Sequence, residues 1–96
     1  AAYPPFTRLA RLLIRDESAD RAKREAEKVA AQLDALLTRI GLARDAIIGP
    51  APCFFAKLRD QYRWHLALRH PDPVPIVREL RLSPAWRVDI DPLSML

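Results

Sequence analysis

The stretch SADRAKREAEKVAAQLDALLTRI, residues 18–40, decides the fold of this chain. Its apolar side chains recur every three or four residues and therefore share one side of an α-helix. They are Ala22, Ala26, Val29, Ala30, Leu33, Leu36, Leu37 and Ile40. Asp16 or Ser18 can cap the start of this helix, and Gly41 follows its last apolar position, where a helix often ends. The pattern predicts a long surface helix that packs on a β-sheet.

The residues on either side of this helix predict strands. Residues 6–15 carry large aliphatic side chains on both faces, which is typical of a central strand. Residues 46–49 form a short apolar run, and we expect the prolines at positions 50 and 52 to end it. Over residues 54–61 we expect a basic loop that contains aromatic residues.

The last third of the chain predicts two more strands and a second helix. Residues 61–69 alternate between apolar and polar side chains, as in a strand with one face in contact with water or a partner. Asp72 and Pro73 are a typical helix start, and apolar residues continue this helix to the Ser-Pro pair at 83–84. Residues 86–90 alternate again and predict the last strand.

The predicted order is therefore β-α-β-β-α-β. This order is typical of a ferredoxin-like α/β sandwich of the α+β class, with two helices on one face of a four-stranded antiparallel sheet. Ninety-six residues suffice for one such domain with its own hydrophobic core. We expect a single domain over residues 1–96, with residues 1–5 as the end of a linker. Because the chain lacks an initiator Met, we read it as a piece of a longer protein.

The charge balance permits a polyanionic partner. Sixteen Lys and Arg stand against twelve Asp and Glu, and the isoelectric point is about 9.8. Arginine, the better bidentate phosphate binder, far outnumbers lysine. Codon bias in a GC-rich genome explains the arginines equally well. The lone Cys53 excludes an internal disulfide, and no signal peptide or membrane span is recognisable, so we expect a cytoplasmic protein.

Nothing in the sequence predicts catalysis, a nucleotide or a metal. Two isolated glycines cannot build a phosphate-binding loop. His65 and His70 have no neighbouring ligands that would complete a metal site. We expect Asp89 and Asp91 to compensate arginine charges, since Arg87 precedes them on the same strand face.

A binding surface is the stronger prediction. If the last strand pairs beside the first, and the third strand lies on the other side of the first, basic residues collect on the sheet face opposite the helices. They are Arg11, Arg15, Arg63, His65, Arg69 and Arg87, with Lys57 and Arg59 in the adjoining loop. Such a face can bind nucleic acid or dock on the rest of a larger protein, and both readings stay open. Tyr62 and Trp64 fall on the other side, where core packing is expected instead of base stacking.

Three short segments resemble one known family. The first segment is Gly49-Pro50-Ala51-Pro52 with the Lys-Leu-Arg at 57–59 and the Tyr-Arg-Trp at 62–64. The second is the ending Asp-Ile-Asp-Pro-Leu-Ser-Met-Leu at 89–96, and the third is the opening Tyr-Pro-Pro-Phe at 3–6. Together they resemble segments of primosomal protein N-prime, a replication-restart DNA helicase. The chain departs from that family at Asp60-Gln61, where Gly-Arg is usual, and at Cys53-Phe54. The first departure exchanges a positive charge for a negative one in the predicted loop.

The resemblance implies the C-terminal domain of an ATP-dependent 3′–5′ DNA helicase that acts in replication restart and primosome assembly. It implies that the ATP, Mg and Zn sites belong to the parent protein and not to this piece. It also implies binding of branched or single-stranded DNA and docking on the helicase lobes, in the bacterial cytoplasm at the nucleoid. Candidates for contacts between domains are Tyr3, Phe6, Phe54, Phe55, Asp91, Pro92 and Leu93.

Two alternatives remain beside direct DNA binding. The domain can act purely as a structural clamp on the helicase lobes, or as an interaction module for single-stranded-DNA-binding protein and other primosome proteins. An unrelated ferredoxin-like ribosomal or RNA-binding module fits the predicted fold but not the three segments.

Overall fold

A computed structural model of the chain describes residues 8–58 and 61–91, with the side chains of residues 54–58 left aside. The elements are β1 (Arg8–Asp16), α1 (Ala19–Arg39), β2 (Ile47–Leu58), β3 (Gln61–His70), α2 (Pro73–Arg78) and β4 (Trp86–Ile90). One turn of 3₁₀-helix, Arg44–Ala46, precedes β2. Within the described part, no helix combines the length and apolarity needed to cross a membrane.

The four strands form one antiparallel sheet in the order β2-β3-β1-β4. Both helices pack against the same face, which we call the helix face; it includes Ala10, Leu12 and Ile14 of β1 and Leu66 and Leu68 of β3. The other face, on which neither helix packs, is called the open face, although Arg11, Leu13 and Ala67 at its centre are buried. The predicted β-α-β-β-α-β fold of the α+β class is confirmed, and so is the placement of the first strand between the third and the last.

The core lies between α1 and the helix face. Val29, Leu33 and Leu37 of α1 have no exposed surface, and neither has Leu12 of β1 on the helix face. Each such side chain stabilises the fold by about 2 kcal/mol through its removal from water. The predicted apolar stripe is confirmed except at its end, since Ile40 is 48% exposed. Ile40 is the residue that ends the helix, so it no longer follows the helical stripe.

Local hydrogen bonds define both ends of α1. The Ser18 hydroxyl is the N-cap and accepts the backbone N–H of Arg21 at 3.2 Å. At the other end Gly41 has a φ of 82°, and its N–H donates to the Thr38 carbonyl at 3.1 Å. The N–H of Leu42 reaches the Leu37 carbonyl at 2.8 Å. These two bonds form a Schellman motif, which ends the helix before Gly41, as the sequence predicts.

The prediction for the segment after residue 46 is wrong. It placed a short strand at residues 46–49 and a loop at 54–61, whereas β2 continues from Ile47 to Leu58. Pro50 and Pro52 lie within this strand, which is possible because β2 is an edge of the sheet and a proline there can lack its N–H without breaking the ladder. The pairing with β3 shifts register between Ile48 and Ala51 and again between Pro52 and Lys57.

The second helix is shorter than predicted. It was expected to continue to residues 83–84, but α2 ends at Arg78. Its start agrees with the prediction, although Asp72 makes no capping hydrogen bond through its side chain. Gln32 of α1 explains the early end, because its amide accepts the N–H of Arg81 at 3.0 Å and donates to the carbonyl of the same residue at 3.4 Å. The backbone of Arg81 is thereby held by α1 instead of continuing the helix.

Leu33→Ala should reduce the free energy of unfolding by about 2–5 kcal/mol, because the side chain is fully buried and its removal leaves a cavity. Ile40→Ala, at the exposed end of the same stripe, is the control and should cost well under 1 kcal/mol. Equilibrium unfolding in urea measures both. Equal losses for the two variants would show that α1 does not pack as described.

Gly49→Ala should destabilise the chain more than Gly41→Ala. Both glycines have positive φ, 91° and 82°, so alanine at either position costs about 1–2 kcal/mol in backbone strain. At Gly49 the added methyl would also lie 3.1 Å from the His65 carbonyl oxygen, whereas nothing lies within 4 Å at Gly41. The difference in melting temperature between the two variants therefore measures the effect of the close contact between Gly49 of β2 and the backbone of β3. Equal losses of melting temperature for the two variants would argue against this close contact.

Candidate nucleic-acid interface

The strand register gathers the predicted basic residues on the open face. Between β1 and β3 the facing pairs are Leu9 with Arg69, Arg11 with Ala67, Leu13 with His65, and Arg15 with Arg63. On the other side of β1, β4 places Arg87 opposite Leu13 and Asp89 opposite Arg11. Directly paired residues project to the same side of a sheet. The described strands thus bring together the six predicted residues that lie on them.

The described strands give this face a net positive charge. Its paired positions include five arginines and one aspartate, Arg11, Arg15, Arg63, Arg69, Arg87 and Asp89, which sum to +4. These residues produce a positive potential on this side of the sheet.

Arg15 and Arg63 are two like charges at directly facing positions of β1 and β3. They are direct cross-strand partners, so their Cβ atoms are about 5 Å apart. Arg15 is exposed, Arg63 is partly buried, and within the described residues Arg15 makes no ion pair. Two guanidinium groups this close can both donate hydrogen bonds to one phosphate.

Arg11 differs from the other arginines because it is buried, with 8% of its surface exposed. It faces the small side chain of Ala67 across the strands, and its Nη2 lies 4.0 Å from Sγ of Cys53 on β2. Cys53 is itself buried and has no disulfide, as expected for a small apolar residue. Arg11 contributes positive potential from below the surface and offers little area for direct contact with a ligand.

His65 lies between arginines at the centre of the open face. Burial, and then the positive charges of Arg11 and Arg63, hold the pKa of this imidazole below its usual value of 6.5. Its Nδ1 is buried and has no hydrogen-bond partner in the part of the chain that the structure describes. His65 is therefore neutral at pH 7. The other histidine, His70, is hydrogen-bonded to the backbone, since its Nδ1 accepts the N–H of Asp72 at 2.9 Å.

The two aspartates at the end of the chain have different partners. Asp89 lies 3.7 Å from Nε of Arg87, so the expected charge compensation is found there. The Asp91 carboxylate accepts the N–H of Leu9 at 3.1 Å and Nε of Arg8 at 2.9 Å. These bonds hold the pKa of Asp91 below its usual value. The anchoring of β4 to β1 by Asp91 was not anticipated; its predicted contact with another domain stays a prediction.

Several predicted site residues lie outside what can be described. Arg59 and the terminal candidates Tyr3, Phe6, Pro92 and Leu93 fall outside the described residues. Phe54, Phe55 and Lys57 belong to β2, and nothing is said of their side chains. Lys57 was placed in a loop, which is wrong: its backbone pairs with Tyr62 in the β2–β3 ladder, since the strand continues past the prolines.

The large aromatic side chains of β3 lie away from the open face. Trp64 packs against the core on the helix face, as strand alternation predicts, and Tyr62 shares its parity on β3 and is partly buried. Among the described residues, no group of three or more His, Cys, Asp and Glu side chains is placed to hold a metal ion. What the described open face offers chemically is positive charge and hydrogen-bond donors.

Comparison with known proteins agrees with this picture. A family model described as the primosomal protein N C-terminal domain matches residues 1–93. The replication restart protein PriA of Treponema pallidum (strain Nichols) is 33% identical over 105 residues, which cover 98% of this chain and 15% of that protein. The protein of the same name from Synechocystis sp. (strain ATCC 27184 / PCC 6803 / Kazusa) is 29% identical over 100 residues, which cover 97% of this chain and 12% of that protein. The chain thus spans a small part of these relatives, and it belongs to the family of primosomal protein N C-terminal domains.

Proposed function

We propose that this chain is the DNA-contacting domain of a replication restart protein. Its open face binds the sugar–phosphate backbone of single-stranded or forked DNA, and the domain positions that DNA without chemistry of its own. The shared name of the two relatives supports the cellular process. The net charge of +4 at the described paired positions of one sheet face supports the mode of binding.

The observation that carries the proposal is the direct pairing of Arg15 with Arg63. Like charges at facing positions of two strands destabilise a sheet. Positions that break such a folding preference are commonly functional ones. A phosphate between the two guanidinium groups can accept hydrogen bonds from both.

The spread of the arginines favours a polymer of phosphates over one small anion. Arg69 lies six residues from Arg63 along β3, which is about 20 Å in an extended strand. Arg87 adds a cation on β4, beside the centre of the same face. An extended nucleic-acid strand that crosses the sheet can contact all three positions.

The composition of the face favours the DNA backbone over the bases. Its described side chains include no Phe, Tyr or Trp on which a base could stack, because Trp64 lies on the helix face. Contacts to phosphates fix the position of DNA but carry no sequence information. We therefore expect binding without sequence preference.

A second candidate function is a structural one. The open face can dock on the helicase lobes of a longer parent chain, with carboxylates there pairing the arginines. Ile48 favours this alternative, because it is 46% exposed at a position paired with Ala67 on the open face. An interaction with single-stranded-DNA-binding protein or other primosome proteins belongs to the same class. Loss of DNA binding separates the main proposal from these alternatives.

The remaining activities are assigned to a parent protein in this proposal. That protein is an ATP-dependent 3′–5′ DNA helicase of the bacterial cytoplasm that acts at the nucleoid in primosome assembly. ATP, Mg and Zn bind to its other domains.

Replacing Arg15 and Arg63 together with alanine should weaken binding of single-stranded and forked DNA. Because the two arginines share one phosphate, their loss should reduce the slope of log K against log salt by about 0.7 on single strands. Fluorescence anisotropy with labelled oligonucleotides of two unrelated sequences, at several salt concentrations, measures both effects. The loss should be the same for both sequences.

The matched control is the double variant Arg24→Ala, Arg78→Ala. It removes the same two charges from exposed positions on α1 and α2, outside the open face. Its DNA affinity should stay close to that of the unchanged chain. Equal weakening of both double variants would mean that net charge alone drives binding. Unchanged DNA affinity for the Arg15 and Arg63 variant would favour the structural alternative.

DNA binding should strengthen on mild acidification because of His65. In the free chain burial and two arginine charges hold its pKa below 6.5, so it is neutral at pH 7. Bound phosphate places negative charge nearby and raises this pKa, so binding takes up a proton. Affinity therefore rises as the pH falls through the pKa of His65 in the complex and levels off below its lower pKa in the free chain.

The same anisotropy titration, repeated across this pH range, measures the effect. His65→Gln should bind with little pH dependence, whereas His70→Gln should keep it, since His70 serves the backbone of Asp72. An identical rise in affinity for the unchanged chain and for His65→Gln would assign the proton to another group.

A further inference from the structure

Among the described residues, the outer strand β4 has no neighbouring strand on one side. It pairs with β1 on one side and is the last strand in the sheet order. The N–H of Asp91 donates to the Leu9 carbonyl at 2.6 Å, so the backbone groups of Asp91 face β1. Because these directions alternate along an antiparallel strand, the backbone groups of Arg87 and Asp89 also face β1, and those of Val88 and Ile90 point outward. The Trp86 N–H donates to the Ser83 carbonyl at 3.1 Å, so only its carbonyl is available at this edge.

The two edges of the sheet differ in how they are protected. Edge strands of natural proteins are blocked by prolines, lysines or irregular pairing. The β2 edge carries Pro50 and Pro52 and two register shifts. The β4 sequence, WRVDI, contains no proline and no lysine. Val88 at its centre is 36% exposed, one of three large hydrophobic residues so exposed in the described part of the chain.

The sequence of β4 is complementary to itself in the antiparallel direction. When Val88 faces Val88 of a second copy, Arg87 faces Asp89 of that copy, and Asp89 faces its Arg87. Trp86 faces Ile90 in the same way. Each paired position thus joins two apolar residues or two opposite charges, and opposite charges stabilise cross-strand pairs. A repulsive pair arises nowhere along the five residues.

We infer that β4 is a self-association edge and that its occupant is a second copy of this chain. The two copies are related by a two-fold axis through Val88, perpendicular to the sheet. Their four-stranded sheets then join into one of eight strands, with about four backbone hydrogen bonds between the copies. Arg87 and Asp89 lie at positions that are not hydrogen-bonded across the new seam, where side chains approach most closely.

This symmetry places both open faces on the same side of the joined sheet. Paired residues share a face, so the side that holds Arg87 and Asp89 in one copy is continuous with that side in the other. A dimer thereby doubles the length of the basic surface. The contact between two five-residue strands is far smaller than a standard interface, so we expect a weak dimer that forms at high protein concentration.

Sedimentation velocity over a concentration series of the 96-residue chain, without DNA, tests the inference. The unchanged chain should shift from monomer to dimer as its concentration rises. Asp89→Arg places arginines opposite each other at both charged pairs and should abolish the shift. The double exchange Arg87→Asp, Asp89→Arg restores opposite charges at the same positions and should restore it. Ile48→Arg, on the β2 edge, is the control and should leave it unchanged.

Circular dichroism establishes that each variant is folded before it is compared. Amide hydrogen exchange provides an independent measurement, because the N–H groups of Val88 and Ile90 should become protected as the concentration rises. A chain that stays monomeric throughout, a dimer that survives Asp89→Arg, or a folded double exchange that fails to associate would each overturn the inference. Since no DNA is present, these outcomes are distinguishable from a failure of the proposed DNA binding.

Discussion

The packing of α1 on the helix face is the interaction on which the rest of the structure depends. Leu33 and Leu37 of the helix and Leu12 and Leu66 of the sheet are at most 1% exposed, and they form the centre of the only extensive apolar contact in the described part of the chain. In a domain of 96 residues, such a contact is the main source of stability. Both helices pack on this one face of the sheet. The opposite face is therefore left to other residues, and its composition is free to serve binding.

The central position of β1 converts this one-sided packing into a charged surface. Since successive side chains alternate, a strand that directs Ala10, Leu12 and Ile14 to the core must direct Arg11 and Arg15 to the open face. The antiparallel register then sets Arg63 directly opposite Arg15. The cost of this repulsion is small compared with the stability that the core provides. The fold can therefore hold two arginines side by side, as a phosphate site requires.

Short local contacts maintain the register that this surface needs. Gly49 allows β2 to pass so close to β3 that a methyl group would lie 3.1 Å from a backbone oxygen. At the opposite edge, Asp91 ties the end of β4 to Leu9 and Arg8 at the start of β1. A slip of one residue in the β1–β4 ladder would move Arg87 from the open face to the helix face. The segments that resemble the family, around Gly49 and at residues 89–91, thus include the contacts that hold the sheet edges in register.

The sequence by itself determined the elements whose pattern is local. The period of α1, its Ser18 cap and its Gly41 stop depend on residues within one helix, and strand parity was enough to assign the arginines to one side. Tertiary structure decided what depends on partners distant in the chain. The prolines of β2 are tolerated because the strand order makes it an edge, α2 ends early because Gln32 of α1 holds Arg81, and Asp91 is anchored by the first strand. The burial of Arg11 and the neutrality of His65 follow from neighbouring residues on β1, β2 and β3. The periodicity of a single segment does not indicate which strands will be neighbours in the sheet.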